Sequence, residues 1–238
     1  KVLFGAEGVE GGVVNVGGAW GDRWVEQDRI ARGAGADLAV VCVAARGKGL
    51  RGMEVADGIP GSLGGAVYMK AGAYGGAMGQ VLETVTFLDE QYDIQTLPTD
   101  KLQLGYRASV FQSQPWYILS ATIKLQHGDK VSIDKAMQDF MERRRDKQPL
   151  DYPSAGSTFK RPAGAFAGAL IDQCGLRGFR IGDAAISEKH CGFVVNLGNA
   201  TCADVLAVAE QVAAKVLAQT GYVLEREVRV IGTQGELY

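Results

Sequence analysis

Residues 58–75 read Gly58-Ile59-Pro60-Gly61-Ser62-Leu63-Gly64-Gly65-Ala66-Val67-Tyr68-Met69-Lys70-Ala71-Gly72-Ala73-Tyr74-Gly75. The stretch matches neither the Gly-x-x-x-x-Gly-Lys-Ser/Thr phosphate loop nor the Gly-x-Gly-x-x-Gly dinucleotide fingerprint. It still offers several side-chain-free backbone N–H groups, which can line a phosphate or an extended cofactor. Glycine loses more freedom on folding than any other residue, so its clustering over 58–79 points to backbone that turns tightly or approaches a ligand closely. The chain holds 33 glycines, well above average usage. On its own the stretch reads equally as a structural turn cluster or a cofactor loop.

The composition around it narrows the class. At 238 residues the chain makes one large domain or two modest ones. It is 47% hydrophobic and 22% charged, ordinary for a globular protein with a substantial core. Lys plus Arg total 25 and Asp plus Glu 27, a net charge of −2, which excludes the basic field of a dedicated nucleic-acid binder. No run approaches the ~20 apolar residues needed to cross a bilayer, and residues 1–5 do not read as a signal peptide. The four cysteines are scattered without a Cys-x-x-Cys pair, so reduced, buried thiols in a cytoplasmic protein are expected. With His127 and His190 as the only histidines, no metal site is expected.

Pattern reading gives mixed α and β. Residues 35–46 read as a buried helix stopped by Gly47; 81–88, 94–97 and 116–125 read as strands separated by turn signals. A helix capped by Ser132 follows, with Ile133, Met137, Phe140 and Met141 at helical spacing. It ends in Arg143-Arg144-Arg145-Asp146-Lys147, whose simplest reading is solvated cations at a helix C-terminus. Residues 149–153 look like a boundary. Beyond it a helix is expected near 166–174, a strand at 192–196, and a helix from Thr201 with Val205, Val208, Val212 and Val216 on one face and Gly221 past its end. The chain is expected to close on a strand over 223–231.

Five ordered motifs carry a family resemblance. The 58–75 stretch resembles the flavin-contacting loop of the UDP-N-acetylenolpyruvoylglucosamine reductases. The likeness continues in Tyr106-Arg107-Ala108-Ser109-Val110-Phe111, Pro153-Ser154-Ala155-Gly156-Ser157-Thr158-Phe159-Lys160, Ser187-Glu188-Lys189-His190-Cys191-Gly192-Phe193-Val194-Val195-Asn196 and Leu224-Glu225-Arg226-Glu227-Val228-Arg229. Several motifs in order over most of the chain are far more specific than any one of them.

The resemblance implies an α+β fold: an FAD-binding module of the vanillyl-alcohol-oxidase (PCMH) type at 1–147, a smaller substrate domain at 148–222, and a C-terminal strand at 223–238 returning to the flavin. Family members carry a Gly-x-Gly-Ser-Asn segment that holds the FAD pyrophosphate; the likeness begins just after it, so the module is expected to be N-terminally incomplete. The implied reaction uses FAD and NADPH to reduce UDP-N-acetylglucosamine enolpyruvate to UDP-N-acetylmuramate in peptidoglycan precursor synthesis. Hydride goes to the terminal enolpyruvyl carbon and a proton completes the lactyl ether. A cytoplasmic bacterial monomer with no nucleic-acid or membrane partner is expected.

The resemblance also assigns residues. Gly58, Ile59, Pro60, Gly61, Ser62, Gly64, Gly65, Ala71, Gly72, Ala73 and Tyr74 fall on the cofactor contacts, and Tyr106, Lys160, Lys189 and His190 on the substrate side. Arg107 sits where the catalytic arginine sits, and a guanidinium suits a carboxylate that gains charge; without the motif, a surface arginine is an equal reading. Ser157 matches the proton donor. A hydroxyl is a poor acid, so its surroundings must help, and Lys160 is a candidate neighbour; otherwise it reads as a helix cap. Glu227 matches the acidic partner, although Glu225 lies on the same face of the expected strand and a surface ion pair is the plain alternative. A Ser–His hydrolase is disfavoured because residues 155–159 lack the Gly-x-Ser-x-Gly elbow. Lys70 and Arg161 depart from asparagine in many relatives and add charge near anionic groups. The short interval from Phe111 to Trp116 suggests the subclass without a substrate-covering loop, so Tyr106 is given no gating role. Two other classes stay open: another flavin-linked oxidase, which normally shows a covalent-flavin His or Cys near the loop, and a non-catalytic UDP-sugar-binding fragment.

Overall fold

The computed structural model describes residues 2–17, 24–233 and 235–237. Part of the expected flavin module, residues 18–23, lies outside them. The chain forms two compact units. One is Val14–Arg144; the other joins the residues up to Val13 to those from Arg145 onward. Among the described residues no helix is long and apolar enough to cross a membrane.

Val14–Arg144 is built on a five-stranded antiparallel sheet ordered Val25–Glu26, Arg29–Gly33, Tyr117–Lys124, Leu82–Leu88, Ile94–Pro98. The three expected strands, rich in β-branched and aromatic residues, form, whereas Val25–Glu26 and Arg29–Gly33, with one β-branched residue each, are strands that composition does not announce. Their buried side chains meet helices α1 (Leu38–Gly47) and α2 (Leu63–Tyr68) in one core, with Ile30, Leu38, Val41, Leu63, Val67, Val85 and Ile123 all buried. Burying side chains of this size stabilises the fold by about 1.5–3 kcal/mol each. Phe87 stacks on Trp116 at 4.5 Å and meets Phe111 edge-on at 5.4 Å, closing one end of the core.

Helix boundaries show which local signals win. Asp37 caps α1 by accepting from the Ala39 N–H at 2.9 Å. The helix runs through Gly47, and Gly49, at φ +66, ends it in the left-handed conformation instead. Helix α3 spans Lys130–Lys147, so Ser132 lies inside it. Asp129 is the cap: its carboxylate accepts from the Ser132 N–H and hydroxyl at 2.9 and 2.8 Å. A carboxylate is also favoured by the helix dipole there, which a neutral hydroxyl is not.

The other unit carries a four-stranded antiparallel sheet ordered Ser154–Ser157, Phe193–Asn196, Ala184–Ile186, Arg180–Ile181. Helices α4 (Ala167–Gln173) and α5 (Cys202–Thr220) bury Ile171, Val208, Val212 and Val216 against Ala184 and Ile186. Thr201 and Asp204 form a reciprocal capping box on α5, and Gly221 ends it at φ +76. Thr201→Ala removes a cap and is expected to cost about 1 kcal/mol, read as a lower Tm with an unchanged far-UV spectrum. An unchanged Tm would show the box to be energetically idle.

The expected strand over 223–231 is shorter. Over these residues only Arg229–Gly232 forms a regular strand; residues 223–228 form none, with one bridge between Phe159 and Arg226. Val2–Phe4, expected with the flavin module, pairs parallel to Arg229–Gly232 and belongs to this second unit. All four cysteines are free thiols. Burial pushes the Cys42 thiol up to about 12, with the Asp57 and Glu54 charges adding to it.

Candidate functional site

The glycine-rich stretch folds into a loop, a short helix and a hairpin. Gly58 and Gly61 take φ +73 and +139, values open to glycine and strained for other residues. Ser62 caps α2, accepting from the Gly65 N–H at 3.2 Å. Gly64 serves packing: a Cβ there would lie 2.8 Å from the Ala34 Cβ, so the buried helix can rest close on that backbone. Gly61 and Gly65 stay exposed and present main chain. Beyond α2, Gly72–Ala73 and Gly76–Ala77 form a hairpin whose two turn residues, Tyr74 and Gly75, take φ +51 and +88, the type I′ pattern. The Tyr74 ring stacks on Phe140 at 5.2 Å. Lys70 takes φ +41, a left-handed conformation that asparagine adopts more readily than lysine. It lines a cavity of about 430 Å³ with Gln80, Thr99, Asp100 and Gln103, so a carboxylate shares the space its charge enters.

Arg107 stands beside this hairpin. It occupies a tight turn in which the Gly105 N–H donates to the Ala108 carbonyl at 3.1 Å. At φ +54 it holds a left-handed conformation that costs a non-glycine residue of order 1–3 kcal/mol. Its Nη2 donates to the Gly72 carbonyl at 3.3 Å, and its Cζ lies 5.1 Å from the Tyr106 ring centroid. Tyr106 thus supports the guanidinium. Two residues with no role in the sequence reading fix the turn. The Ser109 hydroxyl donates to the Tyr68 carbonyl at 2.7 Å, and Gln112 Nε2 donates to the Tyr68 and Arg107 carbonyls at 2.8 and 3.0 Å.

The second unit gathers Ser157, Lys160 and Glu227. Ser157 ends an edge strand, not a helix; Gly156 at φ +75 accompanies a shift in register before it, and Ser157 lies opposite Phe193. Buried Thr158 locks the following residue. Its N–H donates to the Gly192 carbonyl at 2.8 Å, its hydroxyl accepts from the Val194 N–H at 3.0 Å, and its carbonyl accepts from the Glu227 N–H at 2.8 Å. The backbone of Glu227 is therefore tied one residue from Ser157. Glu227 is 5% exposed, whereas the Glu225 side chain is 68% exposed and pairs with the Lys160 ammonium. The two glutamates do not share an environment as they would in a regular strand: no strand forms at 225–227, and one side chain is buried while the other is exposed. Lys160 is engaged with Glu225.

Residues 187–193 form a braced turn. The buried Ser187 hydroxyl accepts from the Lys189 and His190 N–H groups at 3.1 and 3.2 Å. His190 Nδ1 accepts from the Gly192 N–H at 3.0 Å, which assigns its proton to Nε2. Its ring meets Phe193 edge-on at 5.0 Å. The Lys189 ammonium donates to the Arg145 carbonyl in the last turn of α3. Arg177 grips Asp172 at 2.7 and 3.0 Å, holding that carboxyl below its usual range, and also reaches the Glu188 carbonyl.

Burial pushes the His190 imidazole below its usual value, and the Arg177 and Lys147 charges act the same way, partly offset by its own backbone hydrogen bond. A folded value below the unfolded 6.5 means that its stability contribution is complete above about pH 6.5 and is lost as pH falls through the folded value. The wild type is therefore expected to lose more Tm than His190→Asn between about pH 7 and pH 5. Parallel Tm curves would remove His190 as the titrating group.

Comparisons with known proteins place this architecture. The C-terminal-domain profile of UDP-N-acetylenolpyruvoylglucosamine reductase matches residues 148–231. A reductase of that name from Syntrophomonas wolfei is 44% identical over 98% of this chain and 78% of its own length. One from Lachnoclostridium phytofermentans is 48% identical over 85% of this chain and 66% of its own, so the chain spans just under two thirds of that relative. Among solved structures, the UDP-N-acetylenolpyruvylglucosamine reductase of Thermus caldophilus superposes with a TM-score of 0.74 at 35% identity, covering 86% of this chain and 74% of that one. These matches define a two-part α+β oxidoreductase class. The chain belongs to the UDP-N-acetylenolpyruvoylglucosamine reductase family.

Proposed function

We propose that the chain reduces UDP-N-acetylglucosamine enolpyruvate to UDP-N-acetylmuramate with FAD and NADPH, in the bacterial cytoplasm. The observation that supports this reading is the tie between Glu227 and Thr158, which fixes the backbone of the buried Glu227 one residue from Ser157. The Val14–Arg144 unit is read as the flavin module and residues 148–222 as the substrate domain. The 58–75 stretch fits an extended cofactor, because Gly61 leaves main chain exposed and a Cβ there would meet no atom within 4 Å. Gly58, Ile59, Pro60, Gly61, Ser62, Gly65 and Ala71–Tyr74 would hold it. When bound, FAD supplies a hydride drawn from NADPH.

Arg107 binds the substrate carboxylate and stabilises the charge that grows beside it, where a planar cation matches a carboxylate in two places. Ser157 donates its hydroxyl proton to the carbon next to that carboxylate. Glu227, shielded from water, orients the enolate-like group and supports the proton transfer. Lys160, Lys189 and His190 shape the substrate side through the contacts already described.

The test is a visible absorption spectrum of the purified chain before and after adding FAD. Flavin bands that shift on adding the enolpyruvyl UDP-sugar are expected. A colourless chain that ignores FAD, or bound flavin whose bands do not respond to the sugar, would overturn the reading.

A further inference from the structure

The basic run that closes α3 reads as solvated, yet Arg144 within it is 6% exposed. Its Nε donates to the Asp57 carbonyl at 3.1 Å and its Nη2 to the Val55 carbonyl at 3.3 Å. The same guanidinium lies over the Tyr74 ring, Cζ 5.3 Å from the centroid. One turn earlier on the helix, Phe140 stacks on the other partner of that contact, Tyr74 itself. A single side chain therefore touches the approach to Gly58 and the tip of the Gly72–Ala77 hairpin, which are the two arms of the glycine-rich stretch. Gly58 shows how close the fit is: a Cβ there would lie 3.0 Å from both Arg144 Cδ and Met141 Cε. Its left-handed φ is thus accompanied by a glycine-only space.

We propose that Arg144 is a positioning residue for the cofactor loop, holding residues 55–58 and Tyr74 in register so that the exposed main chain at Gly61 and Gly65 is presented in one conformation. It acts through the loop. The proposal rests on the cofactor reading given above, and the chemistry asks for arginine: a planar fork can serve two carbonyls and a ring face together, which a point-charged ammonium does less well.

Arg144→Met keeps the aliphatic stem and removes the donors; Arg144→Lys keeps the charge and removes the fork. Hydrogen exchange is followed on the chain without added flavin, and FAD affinity is titrated separately. The Asp57 and Ile59 amides, which bond to Glu54 and Ala56 within the loop, are expected to exchange about ten-fold faster or more in both variants, while Val85 and Ile123 in the sheet keep their protection. FAD dissociation is expected to weaken by about ten-fold as well. Unchanged exchange at Asp57 and Ile59 would overturn the proposal, as would equal acceleration in the sheet, which marks general destabilisation. Full recovery in the lysine variant would overturn the need for the fork. A wild type that takes up no FAD sinks the cofactor reading, and the exchange pattern still decides whether Arg144 holds the loop.

Discussion

Ser157→Ala is expected to leave flavin reduction by NADPH near the wild-type rate while slowing reoxidation by the enolpyruvyl substrate by about 10²–10⁴-fold, the range for loss of a positioned general acid. The two half-reactions separate the roles, because a proton donor to carbon is used only in the second. The structure makes the substitution mild for the fold. Ser157 ends an edge strand, and its backbone partner Phe193 is unaffected by loss of a hydroxyl. Anaerobic stopped-flow traces of flavin absorbance measure both rates directly. Equal slowing of both half-reactions would remove Ser157 as the donor. A reoxidation rate near wild type would do so outright.

Arg107→Lys is expected to lower kcat/KM by about 10²–10³-fold, comparable to losing one donor from a site that stabilises developing negative charge. Lysine keeps the charge, so the loss measures the planar fork. The contacts that fix the turn come from Ser109, Gln112 and the backbone at Gly105, and they survive the substitution. The same positive φ must still be held, so Tm is expected to stay close to wild type. Steady-state kinetics with the enolpyruvyl UDP-sugar, set beside a thermal melt, check both halves. Turnover near wild type would take Arg107 out of the mechanism, and a collapse of Tm would assign it to the fold instead.

The parts of the fold legible in the sequence are those whose signals are local. Helix α5 carries its cap, its valine stripe and its terminal glycine within its own span, and it forms as read. Residues 223–231 alternate well enough to read as a strand, yet only Arg229–Gly232 finds ladder partners, because a strand exists only where a neighbour pairs with it. Ser132 and Asp129 are both acceptable caps in sequence, and the dipole favours the acid. The candidate site divides in the same way. The motif residues are legible through their resemblance to a family. Ser109, Gln112 and Arg144 act by reaching carbonyls 41 to 89 residues away, a separation that no local spacing encodes. Nor does a sequence announce that an arginine will sit at positive φ.

The parallel pairing of Val2–Phe4 with Arg229–Gly232 has a consequence for how the chain is made. The first of these strands leaves the ribosome long before its partner exists. At roughly 5–20 residues per second, the wait is on the order of 10–45 s. During it, Phe4 and its neighbours lack this partner, and the ladder closes only after the more than 220 intervening residues have been synthesised. Contacts of such long sequence separation form late and slowly. Co-translational folding can therefore complete the central sheet of Val14–Arg144 before this ladder closes.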